Sequence, residues 1–410
     1  MRLPAADASD MRALIVSEGR SRAALAAVRA LGRSGWDVGV GSPDRRDLAA
    51  ASRWARRWHL IPAPQIDQEA FLDAVASTSR GYEVVFGTGD AEILALSAGR
   101  ERLDAAVGYG PHESLVRALD KLELSRAGER AGLAIPRTAP ATPDGLGSFS
   151  FHGPAVVKAR LHWSLGSKGA PARQAAVVVA DREEAELRIA EMRARGGEPV
   201  VQEIVGGTLL SLTVLPGPGD DIVAEVQQVA DRLWPYPAGG SARARTVAVD
   251  PDLSAGVRAL LAELRWAGLA HVQFLVPDGG VPHLIDLNGR FYGSMGLAVA
   301  AGPNFPDLWA RLATGRPLPP VPAAAAGVRF QWLEGDLRRA RVERRGGLVR
   351  DALACLLQAP RSTHSVWSPR DRGPFWDHLR LLARLGVRKV ARTPSEAPAE
   401  EPSPAKARLP

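Results

Sequence analysis

The stretch HVQFLVPDGGVPHLIDLNGRFYGS, residues 271–294, predicts a β-hairpin. HVQFLV and VPHLIDLN each alternate apolar and polar residues, and the Pro-Asp-Gly-Gly sequence between them is typical of a turn. Side chains two residues apart on a strand share a face, so Asp286 and Asn288 lie on one side and the turn brings Gln273 opposite them. We therefore expect these three side chains to lie together, with Arg290 just beyond them.

The predicted group offers carboxylate and amide oxygens with one formal negative charge. Such ligands suit a Mg²⁺ ion that also binds phosphate oxygens, because Mg²⁺ is rarely surrounded by protein ligands alone. The alternative is an ordinary hairpin whose polar face is solvated, since short motifs often match by chance. The hairpin alone does not decide between the two.

Length and composition predict a folded protein of two or three domains. The chain has 410 residues, of which 46% are hydrophobic and 24% charged. The 52 basic and 45 acidic residues leave a formal charge of +7, a modest excess, so we expect no nucleic-acid partner. The single cysteine, Cys355, is expected to be buried in a helix. No long apolar run is present, and we expect a cytoplasmic protein without membrane contact.

The first hundred residues predict a parallel sheet covered by helices. The apolar run of residues 11–16 is followed by a polar, glycine-containing turn, a helical pattern and a second strand, DVGVGSP. A later strand, YEVVFGTGD, ends in a turn with Asp90 and Glu92. Ligands gather at the carboxyl ends of parallel strands, which is where Ser17 and Asp90 fall. Capping of the following helices is the alternative role of these residues.

Two segments between residues 150 and 206 suggest nucleotide binding. Lys158 lies in the strand pattern PAVVKA and precedes a loop rich in Gly, Ser and Lys, a combination suited to triphosphate binding. A simple hairpin loop is the alternative. The strand pattern VVQEIV offers Glu203 and the backbone of Ile204 and Val205 as an edge for adenine. Lys121, on a helix that links two domains, is predicted to point towards the cleft.

The order of these pieces over residues 11–316 resembles the ATP-grasp superfamily, specifically the carboxylate–amine ligases related to biotin carboxylase and carbamoyl-phosphate synthetase. The matching elements are Asp120-Lys121, VVKARLHW, VVQEIVGG, WPYPAGGSARART and VQF…LIDLNGRFYGS. The resemblance implies an α/β fold, with α+β character in the ATP-binding part. It divides the chain into a parallel-sheet pre-ATP-grasp domain (1–116), small and large ATP-grasp subdomains (117–199 and 200–318), a helical C-terminal extension (319–391) and a disordered tail (392–410).

The resemblance also implies roles for individual residues. Lysines 121 and 158 would hold ATP phosphates, with Lys158 also counted as catalytic beside Arg290. The metal ligands for Mg²⁺ or Mn²⁺ would be Gln273, Asp286 and Asn288. The remaining ATP contacts would be the phosphate-covering loop with Ser164, Gly166, Ser167 and Gly169, and the adenine hinge with Gln202, Glu203, Ile204 and Val205. The substrate contacts would be Arg243, Arg245, Gly293 and Ser294, although surface exposure is the alternative for the two arginines.

Three positions depart from the family pattern. Gly289 stands where proline is frequent, Asp286 where glutamate is more frequent, and Leu209 where many members have an acid for the ribose hydroxyls. The later sequence FQWLEGDL also resembles this ligase group and is expected to pack back on the core. The basic run of Arg338, Arg339, Arg341, Arg344 and Arg345 predicts a solvated helix face, with nucleic-acid or membrane contact as the alternative.

The activity implied by the resemblance is an ATP-dependent ligation. A small carboxylic acid or amino acid would form an acyl phosphate, and an amine would then displace phosphate to give an amide, with ADP released. ATP-dependent carboxylation, phosphoryl transfer and a weakened ATP-binding regulatory protein remain the alternatives. The expected partners are small carboxylate and amine substrates, and a homodimer is an open possibility for assembly.

Overall fold

The computed structural model describes residues 11–161, 176–219, 221–236 and 239–391, with the backbone alone for residues 385–391. The described chain forms three β-sheets, of five, seven and four strands, with helices packed against them. The predicted α/β class, with a parallel sheet in the N-terminal part and a helical C-terminal part, is confirmed. Within the described residues, no helix is both long and apolar enough to cross a membrane.

The N-terminal sheet is entirely parallel and has the order β3-β2-β1-β4-β5. Its strands are β1 (Arg12–Val16), β2 (Asp37–Ser42), β3 (Ala55–Leu60), β4 (Val84–Gly87) and β5 (Ala106–Val107). Its helices are α1 (Arg22–Arg33), α2 (Gln68–Ser79), α3 (Asp90–Ala98) and α4 (His112–Leu119). Strands β1 and β4 are buried throughout their apolar runs, as expected for strands covered on both faces. The strand order reverses between β1 and β4, which makes their carboxyl ends a crevice of the kind that binds ligands.

The four-stranded sheet is antiparallel and has the order β6-β9-β7-β8. Its strands are β6 (Thr138–Pro140), β7 (Ala155–Ala159), β8 (Val177–Val179) and β9 (Pro199–Glu203). The helices of this part are α5 (Lys121–Arg130), α6 (Pro143–Ser148) and α7 (Arg182–Ala194). Asp120 caps α5 by accepting hydrogen bonds from the backbone N–H groups of Leu122 and Glu123, which fixes Lys121 at the first position of the helix.

The seven-stranded sheet has the order β14-β13-β10-β11-β12-β15-β16. Its first five strands in the chain are β10 (Thr208–Pro216), β11 (Ile222–Trp234), β12 (Gly240–Val247), β13 (Ala270–Val276) and β14 (His283–Asn288). Helices α8 (Pro251–Glu263), α9 (Met295–Ala301) and α10 (Phe305–Ala313) accompany it. Leu212, Val272 and Phe274 are completely buried and belong to the main apolar core. The opposite face of the same strands carries polar residues such as Ser211, Thr213 and Gln273.

The C-terminal part adds both strands and helices. Strands β15 (Arg329–Gln331) and β16 (Thr363–His364) complete the seven-stranded sheet, and helices α11 (Leu333–Glu343), α12 (Leu348–Gln358) and α13 (Gly373–Ala391) follow the same region. The expectation that FQWLEGDL packs back on the core is confirmed, because Phe330 and Asp336 are completely buried. Cys355 is buried in α12, also as predicted. The proposed domain limits remain predictions, although β15 ties the extension to the large sheet.

Candidate functional site

The predicted hairpin forms and brings its three polar side chains together. Strands β13 and β14 are antiparallel, and Gln273 lies directly opposite Asp286. The Asn288 Nδ2 atom donates to Gln273 Oε1 at 3.2 Å and to Asp286 Oδ2 at 3.3 Å. The alternation that the sequence showed is therefore sufficient to place the three groups on one face.

Two lysines converge on this group from other elements. The Lys121 Nζ atom donates to Asp286 Oδ1 at 2.5 Å, and the Lys121 side chain is only 4% exposed. Lys158 Nζ, on β7, donates to Gln202 Oε1 at 2.7 Å. The pKa of Lys158 is lowered to about 7, chiefly by burial and also by the nearby Lys121, against the opposing effect of Asp286. The site therefore combines one carboxylate with two lysine side chains.

The predicted adenine hinge joins two sheets. Residues 204–207 connect β9 of the four-stranded sheet to β10 of the seven-stranded sheet. Gln202 donates to Thr138 Oγ1, while both carboxylate oxygens of Glu203 accept hydrogen bonds from Arg137. Gly207 has φ +112°, and a Cβ atom there would lie 2.0 Å from the Val276 carbonyl oxygen. This close approach requires glycine and holds the hinge against the end of β13.

Arg290 connects the hairpin to the crevice of the N-terminal sheet. Its Nε atom donates to Asp90 Oδ1 at 2.5 Å, and the two side chains are 20% and 17% exposed. Asp90 is the first residue of α3, directly after the turn that follows β4. The carboxyl ends of β1 and β4 therefore face the exit of the hairpin, and one ion pair links them.

Glu92 is a candidate functional residue to which the sequence analysis gave no role. It is completely buried in the first turn of α3, and no described donor makes a hydrogen bond of acceptable geometry to either carboxylate oxygen. The pKa of Glu92 is raised to about 8, chiefly by burial and also by the nearby carboxylate of Glu18. The buried Thr88 Oγ1 atom also has no partner among the described residues. The only sequence signal was the position of Glu92 just after a buried strand.

Arg22 is a second residue near this crevice that the sequence did not single out. Its guanidinium stacks on the Trp332 ring at 3.6 Å from the ring centroid, and its buried Nη1 atom has no hydrogen-bond partner among the described residues. Burial lowers the pKa of Arg22 to about 10. The Arg22 guanidinium also lies beside Gly293, where a Cβ atom would be 3.3 Å from Nη2. Ser294, the next predicted substrate residue, exchanges hydrogen bonds with Gln228.

The substrate role of Arg243 and Arg245 remains a prediction, but the strand register places both arginines on the face of the large sheet opposite Gln273. Gln273, Ser211, Gln228 and Thr246 lie side by side across the four neighbouring strands β13, β10, β11 and β12. Thr246 is therefore on the face of the sheet that carries Gln273. Because neighbouring residues of β12 alternate between faces, Arg243 and Arg245 point away from the face that carries Gln273. Arg243 binds Asp336 at 2.8 Å, and Arg245 pairs with Asp231 at 3.3 Å.

The phosphate-covering loop predicted from the resemblance, with Ser164, Gly166, Ser167 and Gly169, lies outside the described residues. Of the three departures from the family pattern, Gly289 has a packing reason. A Cβ atom at Gly289 would lie 2.4 Å from Trp266 Cη2, so the indole ring occupies the space of any side chain there. Leu209 is buried and lies opposite Leu275 on β13.

The side chains of Gln273, Asp286 and Asn288 fit a Mg²⁺ ion whose remaining ligands are phosphate oxygens. No group of three His, Cys, Asp or Glu side chains that would hold a metal by themselves occurs in the described part of the chain. Asp286, with the amides of Gln273 and Asn288, supplies one carboxylate and two neutral groups, which is too little charge for a closed protein cage but enough for an ion bound to phosphates. The close contact of Asp286 with the Lys121 ammonium shows that this carboxylate already interacts with a cation.

Comparison with known proteins agrees with this architecture. The family model described as "ATP-grasp in the biosynthetic pathway with Ter operon" matches residues 215–336, whereas no curated protein matches the chain. One similar solved structure is the N5-carboxyaminoimidazole synthetase from Staphylococcus aureus complexed with ADP, at 15% identity and a TM-score of 0.57, over 75% of this chain and 78% of that one.

Two further solved structures show the same fold. The L-amino acid ligase from Bacillus licheniformis is 18% identical, with a TM-score of 0.57 over 74% of each chain. The biotin carboxylase from Campylobacter jejuni, solved as a β,γ-ATP complex, is 14% identical, with a TM-score of 0.61 over 79% of this chain and 75% of that one. These similarities show that the chain shares the fold of these structures, and the ATP-grasp family model matches part of its large sheet and the segments that follow it.

Proposed function

We propose that this protein is an ATP-dependent carboxylate–amine ligase. A substrate carboxylate oxygen attacks the γ-phosphorus of ATP, and the bond between this phosphorus and the β,γ-bridging oxygen breaks. The products of this step are an acyl phosphate and ADP. An amine then attacks the acyl carbon, forms an amide and releases phosphate. The observation that carries the proposal is the convergence of Lys121 from α5 and Lys158 from β7 on the hairpin that supplies Asp286 and Arg290.

Phosphoryl transfer of this kind depends on positioning and on neutralising charge. The Lys121 ammonium is held in place by Asp286 and by its position at the start of α5, so it can meet a phosphate without reorganising. Lys158 lies close enough to Lys121 and Asp286 for both charges to affect its pKa, and binding of a triphosphate would favour the charged form of Lys158. When bound, Mg²⁺ would be held by Gln273, Asp286 and Asn288 and would supply charge neutralisation on the phosphate oxygens.

The crevice at the ends of β1 and β4 is our candidate for the amine substrate. The Glu92 carboxylate is buried and has no described hydrogen-bond donor, so a substrate ammonium group would be its first partner. With a pKa of about 8, Glu92 can, once it is ionised, also take a proton from that ammonium before the neutral amine attacks. Arg290, held by Asp90 at the exit of the hairpin, lies between this crevice and the phosphate group.

The proposal is tested by measuring ADP formation with Mg-ATP over pairs of amino acids. We expect some pairs to accelerate ADP release, with an equivalent amount of amide formed. The variants Asp286→Ala and Lys158→Ala should both lose this activity, whereas Asp278→Ala, an exposed carboxylate in the turn of the same hairpin, should retain it. If bicarbonate instead accelerates ADP release and no amide forms, the protein is a carboxylase. If the protein binds the nucleotide and forms no ADP with any of these substrates, it is a regulatory protein.

A further inference from the structure

The outward face of α12 is apolar, which is the reverse of an ordinary surface helix. Its exposed side chains include Val349 at 72%, Leu353 at 52% and Leu357 at 73% exposure. The buried positions of the same helix are Asp351 and Cys355. A surface helix normally turns its apolar stripe to the core and its charges to water.

Buried ion pairs fix this orientation. Asp351 Oδ1 binds Arg232 Nη2 at 2.5 Å, and both side chains are only 2% exposed. Asp351 Oδ2 also accepts a hydrogen bond from the backbone N–H of Arg345 at 2.9 Å. Rotating α12 to bury its leucines would leave Arg232 without one of its carboxylates in a low-dielectric interior, which is strongly unfavourable. The outward apolar row is therefore a stable property of the fold.

Basic residues surround the apolar row. The end of α11, the following turn and the start of α12 have the sequence RVERRGGLVR, residues 341–350, which contains four exposed arginines and three exposed apolar residues. Among the described residues, no carboxylate lies within ion-pair distance of Arg341, Arg344 or Arg350. We call this surface the basic–apolar patch. It consists of Val342, Leu348, Val349, Leu353, Leu356 and Leu357 with Arg341, Arg344, Arg345 and Arg350.

The charge of the whole protein is concentrated in the same region. Residues 332–391 contain thirteen Lys and Arg and six Asp and Glu, a formal charge of +7, which equals the net charge of the complete chain. The rest of the protein is therefore neutral overall. A long-range positive field around this part of the surface would attract an anionic partner and orient the molecule towards it.

We propose that the basic–apolar patch binds an anionic lipid surface. Exposed leucine and valine along one face of a helix, flanked by arginine, is the composition of helices that lie in the headgroup region of a membrane. A second copy of the chain is disfavoured, because a two-fold contact would set the same unpaired arginines against each other. A protein that binds a helix face needs a matching groove, whereas a lipid surface accepts a convex helix directly.

The patch is separate from the ligase site, so the proposal does not depend on the proposed function. Association of the full chain with vesicles should be measured by sedimentation, using phosphatidylcholine alone and phosphatidylcholine with about one-third phosphatidylserine. We expect binding only to the anionic vesicles, and we expect raised salt to weaken it, since screening acts on exposed charges. Binding to both kinds of vesicle alike, or to neither, would overturn the proposal.

Two pairs of matched variants assign any binding to the patch. Leu353→Gln with Leu357→Gln should weaken vesicle binding by about tenfold or more, whereas Ile66→Gln with Leu187→Gln, which are equally exposed elsewhere, should leave it unchanged. Arg344→Gln with Arg350→Gln should weaken it about thirty-fold at low salt, against Arg195→Gln with Arg258→Gln as the control.

Each of these positions is exposed, so the variants should fold, which an unchanged melting temperature would verify. The proposal fails if the leucine variant binds vesicles as well as the original chain does. It also fails if that variant abolishes self-association, measured by sedimentation equilibrium, while neither protein binds vesicles. In that case the patch would be an interface between copies of the chain.

Discussion

Replacing Glu92 by glutamine should make the protein more stable at alkaline pH and leave it unchanged at acidic pH. Glutamine has the shape of the protonated acid and cannot ionise. In the folded chain the pKa of Glu92 is raised from an ordinary 4.5 to about 8, chiefly by burial. The folded state therefore binds the proton more tightly than the unfolded state, so the stability that Glu92 contributes is complete below pH 4.5 and is lost as the pH rises through 8.

The size of the effect follows from the width of this window. Each pH unit between the two pKa values costs about 1.4 kcal/mol of unfolding free energy. Between pH 5 and pH 8 the original chain should lose about 4 kcal/mol through Glu92 alone, and Glu92→Gln should not. The contributions of the other titrating groups cancel in the comparison, because the original chain and Glu92→Gln both contain those groups. The difference between the two is the measured quantity.

Urea unfolding followed by tryptophan fluorescence at pH 5, 6, 7 and 8 provides the measurement. Trp309 lies in the same apolar core as Phe86 of β4 and reports on that region. A difference in unfolding free energy that stays constant from pH 5 to pH 8 would refute the reasoning, because Glu92 would then titrate normally in the folded chain. As a control, Glu101→Gln, at an exposed position of the same domain, should show no such pH dependence.

Three further predictions concern the phosphate group and the packing around it. ATP affinity should fall by up to tenfold per pH unit above pH 7, because the pKa of Lys158 is lowered to about 7 and phosphates bind its charged form better. Calorimetric titration of ATP at several pH values should show that this pH dependence of affinity is absent in Lys158→Gln. Gly289→Ala should destabilise the protein by about 1–3 kcal/mol, measured by thermal unfolding, because its Cβ atom meets Trp266; an equal melting temperature would contradict this. Asp351→Asn should lower the free energy of unfolding by about 3 kcal/mol, because the buried Arg232 loses one of its carboxylate partners. Urea unfolding of this variant, compared with Asp252→Asn at an exposed position, provides the measurement.

The sequence predicted the hairpin well because the required information is local. Alternation within ten residues on each side of a clear turn is enough to bring Gln273, Asp286 and Asn288 to one face. The parallel N-terminal sheet was predicted for a similar reason, since buried strands such as β1 and β4 are continuous apolar runs. The resemblance to the ATP-grasp order of elements added the expectation that Lys121 and Lys158 point towards the cleft, which periodicity alone does not give.

The errors and omissions concern relationships between distant segments. Whether Arg243 points to the cleft depends on its register with β11 and on a pairing with Asp336, 93 residues later. The burial of Glu92 depends on how α3 packs against the end of β4, and the sequence pattern of α3 does not reveal it. Gly289 departs from the family pattern, and a packing reason for it is the ring of Trp266, more than twenty residues earlier in the chain. Such features arise from tertiary contacts.

The buried arginines of β11 and β12 also determine how small a piece of this protein can fold. Arg232 and Arg243 belong to the large sheet, but Asp336 and Asp351, which neutralise them, belong to α11 and α12. A chain ending at the proline-rich segment near residue 320 would retain the nucleotide residues and lose these carboxylates. Such a truncation would also uncover the face of β11 and β12 that α11 packs against, and it would leave both arginines without these partners. We therefore expect a stable fragment of this protein to extend through α12, well beyond the last residue that we assign to the ATP cleft.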